Sequence, residues 1–185
     1  MALAVLLRGA RVRLTAVTPQ DLPVIGRWFE DSAFMRLFDA IPAAPRTAEQ
    51  LADWLSTMQK GKDGFLFGIR PVAGDEIIGY IELDGILWNQ GSAWFSIGIG
   101  DEARRGQGLG REAAELTLAF AFNELNLHRV QLTVFDYNTA AIALYERLGF
   151  QREGAFREFL HRDGRRYDML LYGILRREWE ERQAA

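Results

Sequence analysis

The stretch that most restricts this chain runs from Phe65 to Gly100, where the apolar residues recur with a period of two. Phe65–Arg70, Glu76–Trp88 and Ser92–Gly100 read as consecutive strands, with turns at Ala73-Gly74-Asp75 and Asn89-Gln90-Gly91. Connections this short cannot carry the chain back for parallel pairing, so the segment predicts an antiparallel meander.

The next residues change the rule. Arg104-Arg105-Gly106-Gln107-Gly108-Leu109-Gly110 separates the last of these strands from a helical period over Arg111–Asn126, and Arg129–Phe135 returns as a strand. Strand, helix and strand make a βαβ unit, whose strands pair in parallel. Leu109, Ala113, Leu116 and Phe120 lie along one helical stripe that Leu118, Phe122 and Leu125 widen, which predicts a deeply buried helix.

The flanks add shorter elements. Val12–Val17 reads as a first strand, and Thr18-Pro19-Gln20-Asp21 as a helix start with Thr18 as cap, the helix running to about Glu30. Phe34–Arg46 is apolar and proline-punctuated, a loop or broken helix; Thr47-Ala48-Glu49-Gln50 opens another helix in capping-box style. Asn138–Leu148 is a helix between an Asn cap and Gly149, and Phe150–Leu160 with Tyr167–Leu175 forms a hairpin around Asp163-Gly164.

Length and composition then exclude function classes. The 185 residues suit one domain spanning 1–185. A net charge of -3 argues against a nucleic-acid or anionic-membrane partner. The absence of cysteine removes disulfides, thiolate zinc sites and cysteine nucleophiles; with His128 and His161 the only histidines, no metal centre is expected. The apolar run Ala2–Leu7 is too short for a signal peptide, and no stretch approaches the ~18 apolar residues of a membrane span, so a cytoplasmic protein is expected.

Two motifs carry chemistry. In the first, Gly106, Gly108 and Gly110 let the backbone come close to a ligand, the following helix offers its free N–H groups, and Arg104, Arg105 and Arg111 add positive charge. This is a phosphate cradle or, alternatively, a glycine-rich turn with solvated arginines. The spacing Gly106-x-Gly108-x-Gly110 departs from the dinucleotide fingerprint, and no Gly-Lys-Ser/Thr loop exists. In the second, Asn138 and Tyr145 stand two turns apart on one helical face, so one ligand arm can touch both; singly, each also reads as a cap or a packing residue.

The order of cradle, buried helix, strand and Asn138…Tyr145-Glu146-Arg147-Leu148-Gly149-Phe150 resembles the GNAT superfamily of N-acetyltransferases, whose cofactor motif is Arg/Gln-x-x-Gly-x-Gly/Ala. Arg105-Gly106-Gln107-Gly108-Leu109-Gly110 matches it at every defined position. Ile97-Gly98-Ile99-Gly100-Asp101, Asn126–Val130 and Glu153-Gly154…Arg157…Asp163-Gly164…Asp168 resemble the branch of ribosomal-protein and polyamine acetyltransferases. The resemblance implies an α/β (α+β) fold with a mixed, strongly twisted sheet of about seven strands and about four flanking helices, in the order β-α-α-β-β-β-α-β-α-β-β.

It also implies acetyl-CoA as cofactor, its pyrophosphate on Arg104, Arg105, Gly106, Gln107, Gly108, Leu109, Gly110 and Arg111. The pantetheine arm would follow Phe95, Ile97 and Gly98, where the family's strand splays from its neighbour at a bulge, with Asn138 beside it. Tyr145 would be the general acid for the CoA thiolate, which a phenol can serve without ionising at neutral pH. The family's usual glutamate base is missing from Ala93-Trp94-Phe95-Ser96; Glu82 is the candidate in its place, Ser96 can orient a proton-carrying water, and Asp136 and His128 remain as strand-end alternatives. Trp28, Phe34, Phe38 and Asp39 are expected to line the acceptor pocket. The implied reaction is direct acetyl transfer in a ternary complex to a primary amine, with a peptide or protein N-terminus preferred and a polyamine, aminoglycoside or small metabolite open. A non-catalytic acyl-CoA-binding module on the same fold is the other reading, and the chain would act as a monomer or homodimer.

Overall fold

A computed structural model describes residues 6–184, so most of the run Ala2–Leu7 lies outside the described residues. The elements follow the chain as β1 (Val12–Ala16), α1 (Leu22–Glu30), α2 (Ser32–Phe38), α3 (Ala48–Lys60), β2 (Phe65–Pro71), β3 (Gly79–Leu87), β4 (Ser92–Ile99), α4 (Leu109–Ala119), β5 (Arg129–Phe135), α5 (Thr139–Leu148), β6 (Gln151–Arg162), β7 (Arg165–Leu175) and α6 (Arg176–Ala184). Among the described residues no helix is long and apolar enough to cross a membrane.

One seven-stranded sheet forms in the order β1-β2-β3-β4-β5-β7-β6. The meander is present as expected: β2, β3 and β4 pair antiparallel, and β4 and β5 are the parallel pair. That parallel ladder is short. Only Ser92, Ala93 and Trp94 face Arg129, Val130 and Gln131, while β4 stays paired with β3 to Ile99 and β5 with β7 to Phe135. Past Trp94 the two halves of the sheet diverge. The irregularity on this side lies in the β3–β4 ladder, between Asp84 and Leu87, where Gly85 takes φ +52°.

Period two assigns each strand one residue set per face. Ile81, Leu83, Ala93, Phe95, Val130, Leu132 and Val134 pack under α4 and α5, together with Leu109, Ala113, Leu118 and Phe122. Tyr80 belongs to the other face, where Ile25, Trp28, Phe34, Met35, Leu51 and Leu55 of α1–α3 cover it. Leu116, Phe120 and Leu125 are only partly buried, and the helix leaves α-geometry at Phe120–Glu124 for a π-turn.

Among the described residues there are six α-helices, against about four expected. Helix α2 lies where a loop or broken helix was predicted; Asp31 caps it by accepting from the N–H of Ala33 at 2.8 Å, and its seven residues are too few to display a period. Helix α6 is almost wholly polar, and Trp179, whose ring centre lies 5.4 Å from that of Phe122 at a tilt of 35°, is its apolar anchor. At the sheet edge, β6 is exposed over nearly its whole length and slips register twice, at Arg152/Gly154 and Phe156/Leu160. Glu158 takes φ +54° in the second slip, and its N–H donates to Asp168 Oδ1 at 2.8 Å.

Asp21, read as a first-turn helix residue, instead locks α1 to the sheet. Arg70 Nη2 reaches both its carboxylate oxygens at 2.7 Å, and Thr18 N–H donates to it at 2.8 Å. Burial alone would raise this carboxyl, but Arg70 and Thr18 together hold it below the ordinary aspartate value. The stabilisation is therefore complete above the unfolded value of about 3.9 and is lost as pH falls through the lower folded value. Arg70→Met leaves a buried charge unpaired and is expected to lower unfolding stability by about 3 kcal/mol at pH 7. Urea denaturation at neutral and acid pH measures both effects, and the variant should lose the wild type's sensitivity in that acid window.

Candidate active site

The divergence of β4 from β5 opens a gap in the sheet, and two connected cavities occupy it. The outer groove, about 630 Å³, runs from the cradle between the end of β4 and the face of α5. The inner cavity, about 290 Å³, passes between β4 and β5 and is closed by the end of α2, β7 and β6. Leu37, Phe38, Ile97, Asn138, Ala141 and Tyr145 line both.

The cradle ends the outer groove. Gly106 and Gly108 take φ +71° and +79°, a region that L side chains rarely adopt, and Gly108 serves as the N-cap of α4. The first α4 hydrogen bond runs from Glu112 N–H to Gly108 O, so the N–H groups from Gly106 to Arg111 have no backbone acceptor among the described residues. Converging free N–H groups at a helix N-terminus suit a phosphate.

The arginines are used differently from expectation. Arg104 pairs with Glu76 at 2.7 Å, and Arg111 with Glu115 at 2.8 Å. Arg105 folds back, donating to the carbonyls of Ile99 at 2.8 Å and Gly100 at 3.0 Å. All three line the groove, so their remaining guanidinium donors stand beside the free backbone N–H groups of the cradle. Gln107 lines neither cavity; its side-chain amide donates to Ala103 O at 2.6 Å.

Along the groove, Ile97 and Gly98 form the wall, whereas Phe95 faces the inner cavity and meets Tyr145 edge-on at 6.3 Å between ring centroids. Phe34 and Phe38 stack at 5.2 Å and roof this segment so closely that a methyl on Gly98 would come within 2.8 Å of both rings. Asn138 lines both cavities, but its amide is already engaged: Oδ1 accepts from Ala141 N–H at 3.2 Å, and Nδ2 donates to Leu37 O at 3.1 Å.

The candidate acid and base approach from opposite faces of the sheet. Tyr145, 6 % exposed, enters from α5, and burial pushes its phenol well above the ordinary value, keeping it protonated. Ser96 enters from the α1–α3 face and lines the inner cavity, donating from Oγ to Glu82 Oε1 at 2.7 Å. Glu82 stands behind Ser96 rather than in the wall, with Oε2 buried and unpartnered. Burial raises the Glu82 carboxyl, the Ser96 hydrogen bond lowers it, and the charges of Asp84 and Asp39 raise it again, for a net upward shift.

Of the expected acceptor residues, Phe34 lines the groove, Phe38 both cavities and Asp39 the inner one. Trp28 does not reach them. Its indole lies against Gly100 and faces a separate 990 Å³ groove between α1 and the sheet edge, which holds neither motif. Asp136 and His128 finish strand ends: Asp136 accepts from Asp168 N–H, and the backbone of His128 bonds to Gly91 and Arg176. Arg162 and Tyr137 were not singled out, although both hold the cavity wall. Nothing in their local spacing marks them, because their partners lie about a hundred residues away or more.

Comparison with known proteins agrees with this arrangement. A family model described as an acetyltransferase (GNAT) domain matches residues 11–151. The SPbeta prophage-derived uncharacterized N-acetyltransferase YokL of Bacillus subtilis is 31% identical over 172 residues, covering 93% of this chain and 94% of that protein. The putative ribosomal N-acetyltransferase YdaF of Bacillus subtilis is 37% identical over 75 residues, 40% of this chain and 41% of that one. Spermidine N-acetyltransferase from Vibrio cholerae, solved in complex with CoA and spermine, superposes with a TM-score of 0.85 at 26% identity, covering 93% of this chain and 99% of that one. With the free N–H groups of the cradle, the split sheet and these relatives together, the chain belongs to the GNAT family and is an acetyl-CoA-dependent N-acetyltransferase.

Proposed function

We propose that this enzyme acetylates an acceptor bearing a single ammonium group on an apolar body, with a peptide or protein N-terminus as the class that fits best. The observation that carries this reading is the lining of the inner cavity. Asp39 is its one carboxylate, set among Leu37, Phe38, Phe135, Phe159 and Met169. Leu37, Ile41, Phe156 and Phe159 are exposed near it, an apolar rim wider than a small amine needs. One observation favours a polyamine instead: Asp39 and Asp84 both act on Glu82, so negative potential extends beyond the cavity.

In the mechanism we propose, the N–H groups of Gly106–Arg111 would hold the pyrophosphate of acetyl-CoA, and Ile97 and Gly98 would guide its arm into the gap. Asp39 receives the acceptor ammonium. Ser96 takes the proton from the attacking nitrogen as its own hydroxyl proton passes to Glu82, so a buried carboxylate acts through a hydroxyl in the cavity wall. Tyr145, kept protonated by burial, donates to the departing CoA sulfur. With no cysteine in the chain, the amine attacks the thioester directly.

Kinetic and stability measurements test this reading. With acetyl-CoA saturating, kcat/KM for a short peptide should exceed that for spermidine by at least about tenfold, a difference of ~1.4 kcal/mol; the reverse order makes the acceptor a polyamine. Tyr145→Phe should lower kcat by about 10²–10⁴ with CoA affinity unchanged, and an unaltered kcat removes the general-acid role.

Glu82→Gln should depress kcat/KM and abolish its acid limb, which in the wild type lies above the ordinary glutamate value. Because the folded value is raised, ionised Glu82 costs stability as pH rises through it. The same variant is therefore expected to be no less stable than wild type at pH 7 in urea, which separates a catalytic from a structural role. Gly108→Ala forces a side chain into left-handed backbone at about 1–2 kcal/mol and should raise the acetyl-CoA KM about tenfold. Gly110→Ala, whose methyl makes ordinary contacts with Ile99 at 3.4 Å and Ile97 at 3.8 Å, should stay near wild type.

A further inference from the structure

The last turn of α2 has an unusual cap. A helix leaves its final carbonyls without partners of its own, and here they are met from the far side of the gap. Arg36 O accepts from Tyr137 Oη and from Arg162 Nη1, each at 2.5 Å. Leu37 O accepts from Asn138 Nδ2 at 3.1 Å, and Asp39 O accepts from Arg162 Nη2 at 2.6 Å. Arg162 Nη1 also donates to Tyr137 Oη at 2.7 Å, and its guanidinium lies 5.4 Å from the centre of the Phe135 ring.

One guanidinium thus joins three walls of the inner cavity: the end of α2, the end of β5 and the β6–β7 hairpin. A planar group with five donors suits this task, and its charge matches the negative end of a helix dipole. The exposed Arg36–Asp163 pair adds a second link between α2 and the hairpin, but one open to solvent and worth little. What α2 carries makes the link consequential. Phe34 and Phe38 roof the Gly98 segment, Leu37 and Phe38 line both cavities, and Asp39 follows at once.

We propose that Arg162 is a positioning residue that latches α2 across the split sheet and so sets the wall against which the acceptor amine is held. It touches neither the cradle nor the reacting atoms, and it acts through the carbonyls of Arg36 and Asp39. Because Asp39 and the inner cavity lie at the latched end of α2, its effect falls first on acceptor binding and to a smaller degree on the cofactor groove that Phe34, Leu37 and Phe38 also line. The inference rests on the reading that the inner cavity receives the acceptor.

The test compares Arg162→Met, which keeps an apolar stem and loses every donor, with Arg162→Lys and with Tyr137→Phe. Tyr137→Phe removes one hydroxyl from a half-exposed side chain and guards against a variant that fails to fold. In hydrogen exchange of the free enzyme, Arg162→Met should speed exchange of the α2 amides at least about tenfold while α5 and β5 keep wild-type rates. In kinetics, the acceptor KM should rise about 10–100-fold, with kcat and the acetyl-CoA KM within about threefold of wild type. Arg162→Lys should recover part of the loss, and Tyr137→Phe should shift both readouts in the same direction by a smaller factor.

Exchange in α2 and acceptor KM both within twofold of wild type would overturn the latch. Equal acceleration of exchange throughout the chain would overturn it too, by reducing Arg162 to general stability. The exchange arm needs no substrate, so it judges the latch even if no amine is acetylated, an outcome that would count against the proposed function alone.

Discussion

The parallel ladder between β4 and β5 stops after three pairs, and most of what this protein can do depends on that stop. A sheet that stayed zipped would bury every backbone group in the gap and leave no passage between its faces. Each half is instead satisfied on its outer side, β4 by β3 and β5 by β7, so the halves can part while keeping those ladders. The antiparallel meander on one side and the β5–β7–β6 unit on the other share one apolar layer under α4 and α5, which holds them together while their edges part. The gap is then a seam between two well-made half-sheets, wide enough for a narrow ligand arm to meet side chains of both faces.

This geometry explains the division of labour around the seam. Tyr145 and Ser96 belong to opposite faces of the sheet, and only an opening through it brings both to one cavity. The low-dielectric layers that bury Tyr145 and Glu82 act on them in opposite functional senses. A phenol pushed up remains an acid, and a carboxylate pushed up becomes a stronger base. In the proposed mechanism, burial on two faces would thus separate the roles of donor and acceptor of protons.

The parts legible in the sequence were those whose signal is local. Alternation disclosed the meander, glycine spacing the turn before α4, and the Asn138–Gly149 pair the bounds of α5, all of which the structure contains. Helices α2 and α6 escaped because one is too short and the other too polar to show a period. The site was legible in the same proportion. The cradle and the α5 face fall on one groove, but three charged side chains near the cradle are tied to acids or carbonyls of their own chain. No spacing rule reports such a tie. Trp28 was misplaced because an aromatic on a helix near the pocket can face either of two grooves, and the packing against Gly100 decides which.

The irregular course of β6 has a bearing on how the protein keeps to itself. An outermost strand twelve residues long, exposed on both faces and carrying Phe156 and Phe159, resembles a template for the strand of another molecule. Two register slips and the left-handed Glu158 break that template into short lengths, and Asp168 takes up the N–H that a visiting strand would otherwise seek. Charged Arg152, Glu153, Arg157 and Glu158 interrupt what remains. An apolar rim can therefore stand open at the entrance beside an edge that offers a visiting strand no continuous ladder.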